Sequence, residues 1–358
     1  MADNEKWPTM KLAQLGEALG LAVAGDPACR IVRLAPIESA GEEDLAFVVG
    51  QRYGSALKNT QAGAVIVPQS MLADVPGNAL VSENPYASYA AASWLLYPSK
   101  SPIPGVHSTA AVHADATVSA KATIGAYVVI GPGTTIADDV VIEAHSFVGS
   151  KVHIGAGTRL FPRVTIYNNV RIGKACRVQS GVVLGSEGFG YAWAGEGWKQ
   201  IQQVGGVHIG DNVHIGANTT IDCGAIEPTR IDDGVVLDNQ IQIAHNVRIG
   251  RNTAIAGCVG IAGSTHIGTH CQIGGACNIV GHLSIADNVI INAASLVTRS
   301  ILQAGRYGSG MPLQEEHAWR RSFVNLGKLQ ELFKRIRRLE RRDAGIGKDT
   351  GNDKTNAS

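Results

Sequence analysis

The stretch IDDGVVLDNQIQIAHNVRIGRNTAIAGCVGI, residues 231–261, carries an aliphatic side chain at every sixth position: Ile231, Leu237, Ile243, Ile249, Ile255 and Ile261. A period of six belongs neither to an amphipathic helix, which repeats about every 3.6 residues, nor to a half-buried strand, which alternates. It fits short strands that each turn one β-branched or aliphatic residue inward before the chain bends. Three such strands close a triangular coil of 18 residues. Coils stacked at the roughly 4.7–4.9 Å separation of hydrogen-bonded strands then bury the aliphatic column inside a prism.

Outward from this stretch the period extends in both directions. It holds one phase through fourteen consecutive positions, from Val106, Val112 and Val118 by steps of six to Val178 and Leu184. It is lost across a Gly- and Trp-rich segment, returns at Ile209, Ile215 and Ile221, slips by four residues, and runs from Ile231 to Ile291 and Val297. The first break spans 25 residues from Leu184 to Ile209, 19 more than one step, and holds Phe189, Tyr191, Trp193 and Trp198. So many aromatics suit a segment that reaches a neighbouring subunit and covers an acyl chain or pantetheine arm; a passive surface loop also fits. Its GSEGFG is no dinucleotide fingerprint, since no strand–turn–helix context surrounds it.

Composition agrees with a solenoid in a soluble globular chain. Of 358 residues 45% are hydrophobic and 17% charged, with 43 Gly for repeated turns and only 5% aromatics. A balance of 31 Lys and Arg against 30 Asp and Glu excludes a surface built throughout for nucleic acid or anionic membrane. With no run of about 18 apolar residues and no signal-peptide core, a cytoplasmic location without membrane insertion is expected. The six cysteines form no CxxC and no zinc-finger spacing, so reduced, mostly buried thiols and no metal are expected. Cys271 and Cys277 are six apart because the repeat is six long.

The repeat divides the chain into an α/β domain over 1–104, a solenoid over 105–312, a helical extension over 313–343 and a disordered tail over 344–358. In the first, MKLAQLGEALG has helical spacing, AGAVIVPQ reads as a buried strand, and NPYASYAAASWLLYP is helical until Pro98; YPSKSPIPG is the linker. In the extension, Trp319, Phe323, Leu326, Leu329, Phe333, Ile336 and Leu339 recur at three- and four-residue steps between Lys and Arg, with an interruption expected near Gly327. Such a helix packs on its own subunit or in a trimeric bundle.

Against this background one residue needs a separate reason. His245 lies two places after Ile243; one coil further on is Gly263, and two coils plus one residue give His282, so the three stack along one prism edge. The two histidines are then roughly 10 Å apart along the axis, twice the strand separation. His153, His208, His214 and His266 each precede a column residue and point outward. Asp238 can orient the His245 ring if the two turns meet, favouring the tautomer whose other nitrogen acts as base. From the residues alone, a structural imidazole and a catalytic one remain equally open.

TTIDCGA, LDNQIQIAHNVRIG and IVGH, in that order, together with GSEGFGY and LAFVVGQRY, resemble the UDP-3-O-(3-hydroxyacyl)glucosamine N-acyltransferases of lipid A biosynthesis, a hexapeptide-repeat acyltransferase family. The resemblance spans nearly the whole chain. It implies a left-handed parallel β-helix, a hand opposite to the general crossover rule. It also implies transfer of a 3-hydroxyacyl chain from acyl carrier protein to the 2-amino group of UDP-3-O-acylglucosamine. The base falls on His245, with Asp238 and Asn239 at the matching positions before it, Gln242 beside them in the substrate site, and His282 near the phosphates or the reacting centre. An imidazole, with an ordinary pKa of about 6.5, can take the proton from the tetrahedral intermediate. The Gly263 N–H is the candidate oxyanion donor, or Gly263 is only a turn residue.

Phe47 and Tyr53 match the family's uracil-holding aromatic pair, whereas Gly50 stands where the family pattern often has Asn. An aliphatic groove should run toward Leu296 and Val297, and Arg299 with the Lys and Arg of 320–342 should meet the acidic carrier protein. A homotrimer is implied, because a lone prism leaves each site edge open. The expected donor is borne on a phosphopantetheine arm, with no tightly bound cofactor. The rival readings are an O-acylating or acetyl-CoA-dependent relative, and a zinc carbonic anhydrase-like enzyme using His266 and His270, which occupy different strand phases.

Overall fold

The computed structural model describes residues 8–98, 102–310 and 312–346. Contacts divide the chain into one unit ending at Pro102 and a second beginning at Ile103.

In the first unit a five-stranded sheet runs in the order Ala22–Ala24, Asn78–Val81, Ala64–Val67, Asp44–Phe47, Arg33–Leu34. Ala64–Val67 is buried at every position, as a central strand flanked by parallel neighbours requires. Helices Leu12–Leu19 and Pro85–Leu96 cover the sheet; the second starts at Asn84, whose side chain accepts from the Ala87 N–H, with Pro85 in its first turn. The buried Asp44 carboxylate takes two bonds from Arg33, at 2.7 and 3.1 Å, and one from Gly41 N–H at 2.8 Å.

The second unit is a parallel β-solenoid. Strands of two to four residues, from Gly105–Val106 to Gly305–Tyr307, form three sheets of nine, eleven and ten strands among the described residues. Column residues stand in strict register, for example Ile124 opposite Ile142, Ile142 opposite Leu160, and Leu160 opposite Val178. A second inward position, two places before most column residues, is equally buried: Ala122, Val128, Thr134, Val140 and onward. It tolerates polar atoms because the adjoining turn offers carbonyls: Thr134, Thr158 and Thr253 each donate to a glycine carbonyl at 2.8 Å. Cys176, Cys271 and Cys277 belong to this row, and burial pushes the Cys176 and Cys271 thiols up.

Both breaks in the period are looped out, and the column resumes in register. After Val183–Ser186 the chain makes an antiparallel hairpin, Tyr191–Trp193 with Trp198–Gln200, and returns at Val207–Ile209 to pair with Val170–Ile172. The four-residue slip is a loop between Thr220–Asp222 and Thr229–Ile231. The two loops are pinned together: Val204 N–H donates to Ala225 O, Gly205 N–H to Gly224 O, and Thr229 N–H to Gly206 O. A Cβ on Gly224 would run into the Glu227 carbonyl, which makes glycine obligatory there.

The helix Glu316–Ile346 is continuous, correcting the interruption expected at Gly327. A helix-interior glycine costs about 1 kcal/mol, too little to break a helix this long. Its apolar stripe from Trp319 to Leu339 is exposed, so it does not pack on its own solenoid. Residues 344–346 are helical rather than part of a tail, and the remainder of the expected disordered segment, 347–358, lies outside the described residues. Among the described residues no helix is long and apolar enough to cross a membrane.

Candidate active site

His245 occupies the corner after strand Gln242–Ile243 and is half-buried. Register fixes its neighbours. Ile221 pairs with Ile243 from one side and Ile261 from the other, so the His245 corner lies between Asp222–Cys223 and Ala262–Ser264. Ser264 N–H donates to His245 O at 3.0 Å, and His282 N–H donates to Gly263 O at 3.0 Å. The edge expected from counting is therefore present. A Cβ on Gly263 would sit 2.7 Å from both Cε1 and Nε2 of the ring, so only glycine leaves the imidazole room. No backbone carbonyl among the described residues takes the Gly263 N–H.

The ring's tautomer follows from its other contact. His245 Nδ1 lies 3.0 Å from Asn246 Oδ1. That atom also accepts the Ala225 N–H at 3.0 Å, while Asn246 Nδ2 donates to Glu227 O at 2.8 Å. Two backbone partners thus fix which end of the amide is oxygen, so Nδ1 must be the donor and carry the hydrogen, which leaves Nε2 with its lone pair. Asn246 has φ 61°, a left-handed conformation that asparagine tolerates, and its own N–H is held by Thr229 Oγ1 at 2.8 Å. Both partners of its side chain come from the four-residue slip.

The inserted segment walls the same corner. A Cβ on Gly188 would lie 2.6 Å from His245 Cβ and 3.0 Å from Gln203 Oε1, a buried oxygen with no hydrogen-bond partner. Beyond this wall the hairpin is exposed, with Trp193 against Trp198 at 5.4 Å. Beneath the corner, Asp222 accepts from Ser186 Oγ at 2.7 Å and Gln242 Nε2 at 2.9 Å. Burial pushes its carboxyl above the usual carboxylate range, against the opposing pull of Ser186, His245 and Gln242.

The order of these motifs has a counterpart in known sequences. Over 334 residues, 93% of this chain and 95% of the relative, it is 46% identical to the UDP-3-O-acylglucosamine N-acyltransferase of Pseudomonas entomophila. The chain belongs to the UDP-3-O-acylglucosamine N-acyltransferase family. The N-acyltransferase of Shewanella denitrificans is 44% identical over 93% of this chain and 98% of its own. A family model described as UDP-3-O-(3-hydroxymyristoyl) glucosamine N-acyltransferase, LpxD, matches residues 28–95, and bacterial transferase hexapeptide repeats match 115–150 and 151–186. Among solved structures, the UDP-N-acetylglucosamine O-acyltransferase (LpxA) of Moraxella catarrhalis aligns at 26% identity with a TM-score of 0.45, over 61% of this chain and 77% of that one.

Within this N-acyltransferase fold some expected partners separate. Asp238 does not meet His245 in its own chain: it is exposed one corner earlier, and its Oδ2 accepts the Gly257 N–H at 3.0 Å. Seven residues are one hexad plus one, which carries the chain onto a different prism edge. Asn239 likewise caps a turn, accepting from Ala217 N–H at 2.6 Å, and Gln242 spends its amide on Asp222. His282 is exposed, with φ 61°. An open groove of about 470 Å³ runs from Asp238 over Ala254, Gln272 and Ile290 to Arg306, on a face other than that of His245. Leu296 and Arg299 border a smaller hollow of about 180 Å³ at the end of the solenoid.

In the first unit Phe47 and Tyr53 do share a cavity, of about 510 Å³, with Ile37, Val49, Arg52 and Tyr86. Phe47 stacks obliquely on Tyr89 at 4.3 Å and Tyr86 at 5.5 Å, while the Arg52 guanidinium lies 4.7 Å over Tyr53 and bonds its hydroxyl. Gly50 has φ 107°, a conformation that favours glycine. Asp222, Asn246, Arg52 and Tyr86 were missed from sequence. Asp222 lies inside the quoted TTIDCGA block, next to a break in the period, and Asn246 closes the IAHN of the LDNQIQIAHNVRIG block.

Proposed function

We propose that this chain transfers a 3-hydroxyacyl group from acyl carrier protein to the 2-amino group of UDP-3-O-acylglucosamine. The observation that carries the reading is the His245 corner: an imidazole with Nδ1 tied to Asn246 and Nε2 free, facing the bare backbone of Gly263.

In this reading the amine attacks the thioester carbonyl, and its surplus proton passes to Nε2 of His245. The Gly263 N–H donates to the oxygen that becomes negative; such donors contribute roughly 3–4 kcal/mol. As the C–S bond breaks, the carrier thiolate leaves and takes the proton back from the imidazolium, giving amide and free thiol. His282 lies near the acceptor's phosphates or the reacting centre. The aromatic cavity of the first unit takes uracil against Phe47 and Tyr53.

Asp238 and His245 lie on different edges of one chain, so a site using both takes them from two chains. We infer a homotrimer in which the Asp238 groove of one protomer faces the His245 edge of the next, with the exposed stripe of helix 316–346 gathered about the axis. Arg299 and the basic side of that helix meet the carrier protein in the cytoplasm.

The test is amide formation by purified protein from 3-hydroxyacyl carrier proteins of several lengths, with acyl-CoA donors and UDP-GlcNAc acceptor in parallel. Amide from carrier protein and the amino sugar alone is expected. Ester on UDP-GlcNAc, or transfer from acyl-CoA alone, would overturn the reading.

A further inference from the structure

The transfer as set out gives no part to the carboxylate under His245. Asp222 is 9% exposed, and both its oxygens are occupied by neutral donors, Ser186 and Gln242. Among the described residues no Lys or Arg pairs with it. An unpaired buried carboxylate is expensive to keep ionised, so an amide or a hydroxyl would fill this place at lower cost to the fold. The row on which it lies shows as much: Ala244 and Ala262, the positions stacked on it in the next coils, carry no charge. Register sets Asp222 beside Ala244, the residue before His245.

The breaks in the period meet at this point. Ser186 lies at the start of the inserted segment, and Asp222 is the last residue of the strand before the slip. Polar and titratable groups reach the corner from each element around it. The insert brings Glu187, whose carboxylate takes the Gln200 amide, and Gln203. The slip brings Cys223, whose thiol burial pushes up, and the coils above bring Ser264 and then His282. Asp222 is the buried anion of this set.

We propose that Asp222 is a positioning residue for His245: held by Ser186 and Gln242, its charge stabilises the imidazolium formed when the ring takes the amine proton. No proton passes to Asp222 itself. The ring goes from neutral to positive while the carboxylate stays negative, and both return when the thiolate is protonated. The proposal rests on reading His245 as the base.

The test compares the wild-type protein with Asp222→Asn, which keeps the side chain's shape, and with Ser186→Ala, which frees one oxygen. Expected for Asp222→Asn is a fall in kcat of about 10- to 100-fold with KM for the amino sugar unchanged. The acid limb of kcat/KM moves to lower pH, and the pH midpoint of the His245 ring resonances moves the same way. Ser186→Ala gives a smaller fall. A kcat within about twofold of wild type, or lost activity with neither midpoint moved, would overturn the proposal. The ring titration reads the coupling without turnover, so a wild-type protein that acylates no acceptor would sink the functional reading alone.

Discussion

From Val106 to Leu184 the solenoid repeats without a residue out of step; from Leu184 to Ile243 it breaks twice, and both breaks end at one corner, that of His245 and Asn246. The regular part has the same strands, turns and buried rows, and its edges carry ion pairs such as Lys121–Asp138 and Arg159–Glu143. The difference teaches that a hexad repeat supplies a rigid ladder of corners, and that chemistry enters where extra residues bring further backbone and side-chain groups to one of them. Gly188 and Gln203 come from the first break, and Ala225 and Glu227 from the second.

Removing the imidazole should give the largest effect. His245→Ala is expected to lower kcat by about 10²–10⁴ while thermal unfolding stays near wild type, because the ring supports no column residue. Retained turnover would end the claim that the breaks exist to equip this corner.

The opposite pattern is expected from the regular region. Ile142→Ala empties a fully buried column position and should cost about 2–5 kcal/mol in denaturant unfolding, with kcat per folded molecule unchanged. A matching loss of kcat would mean that the two regions are not separable.

Asn246→Ala sharpens the comparison at a single turn. Ala175, Ala276 and Ala294 already hold a left-handed backbone at turns of this solenoid, so the fold should tolerate it. The tautomer lock on Nδ1 would be gone, and kcat should fall by about 10- to 100-fold with KM little changed.

A smaller effect concerns stability against pH. Burial raises the Asp222 carboxyl, so the folded chain still holds this proton at pH values where the unfolded chain has released it. That contribution is full below the ordinary carboxylate value and is lost as pH rises through the raised one. The Tm of wild type relative to Asp222→Asn should therefore decline over this window; a difference that rises with pH would contradict the sign. The smallest effect lies in the extension: Gly327→Ala, with nothing within 4 Å of the new Cβ, should stabilise the helix by up to about 1 kcal/mol in its circular-dichroism melt.

The period made the prism legible, since one inward residue per strand is a requirement the sequence must meet at every step. The stacking of His245, Gly263 and His282 followed by counting. The pairing of His245 with Asp238 did not, because position along a coil says which edge a residue occupies, and these two differ by more than one step. Asn246 and Asp222 were hidden for another reason: their partners lie across loops whose path no repeat constrains. The second buried row is not legible from hydropathy alone, because Thr, Ser, Cys and Ala stand in it beside Val.

Strict register also governs how such a chain can change length. Deleting eighteen residues from the regular part would lower everything beyond by one strand separation, about 4.8 Å, and leave each corner facing as before. Deleting six would keep every aliphatic residue in place yet turn all later corners by a third of a revolution relative to the earlier ones. Along this axis distance and direction are both discrete, so the spacing between a substrate's two ends can be adjusted only in whole coils, and finer adjustment must come from the loops.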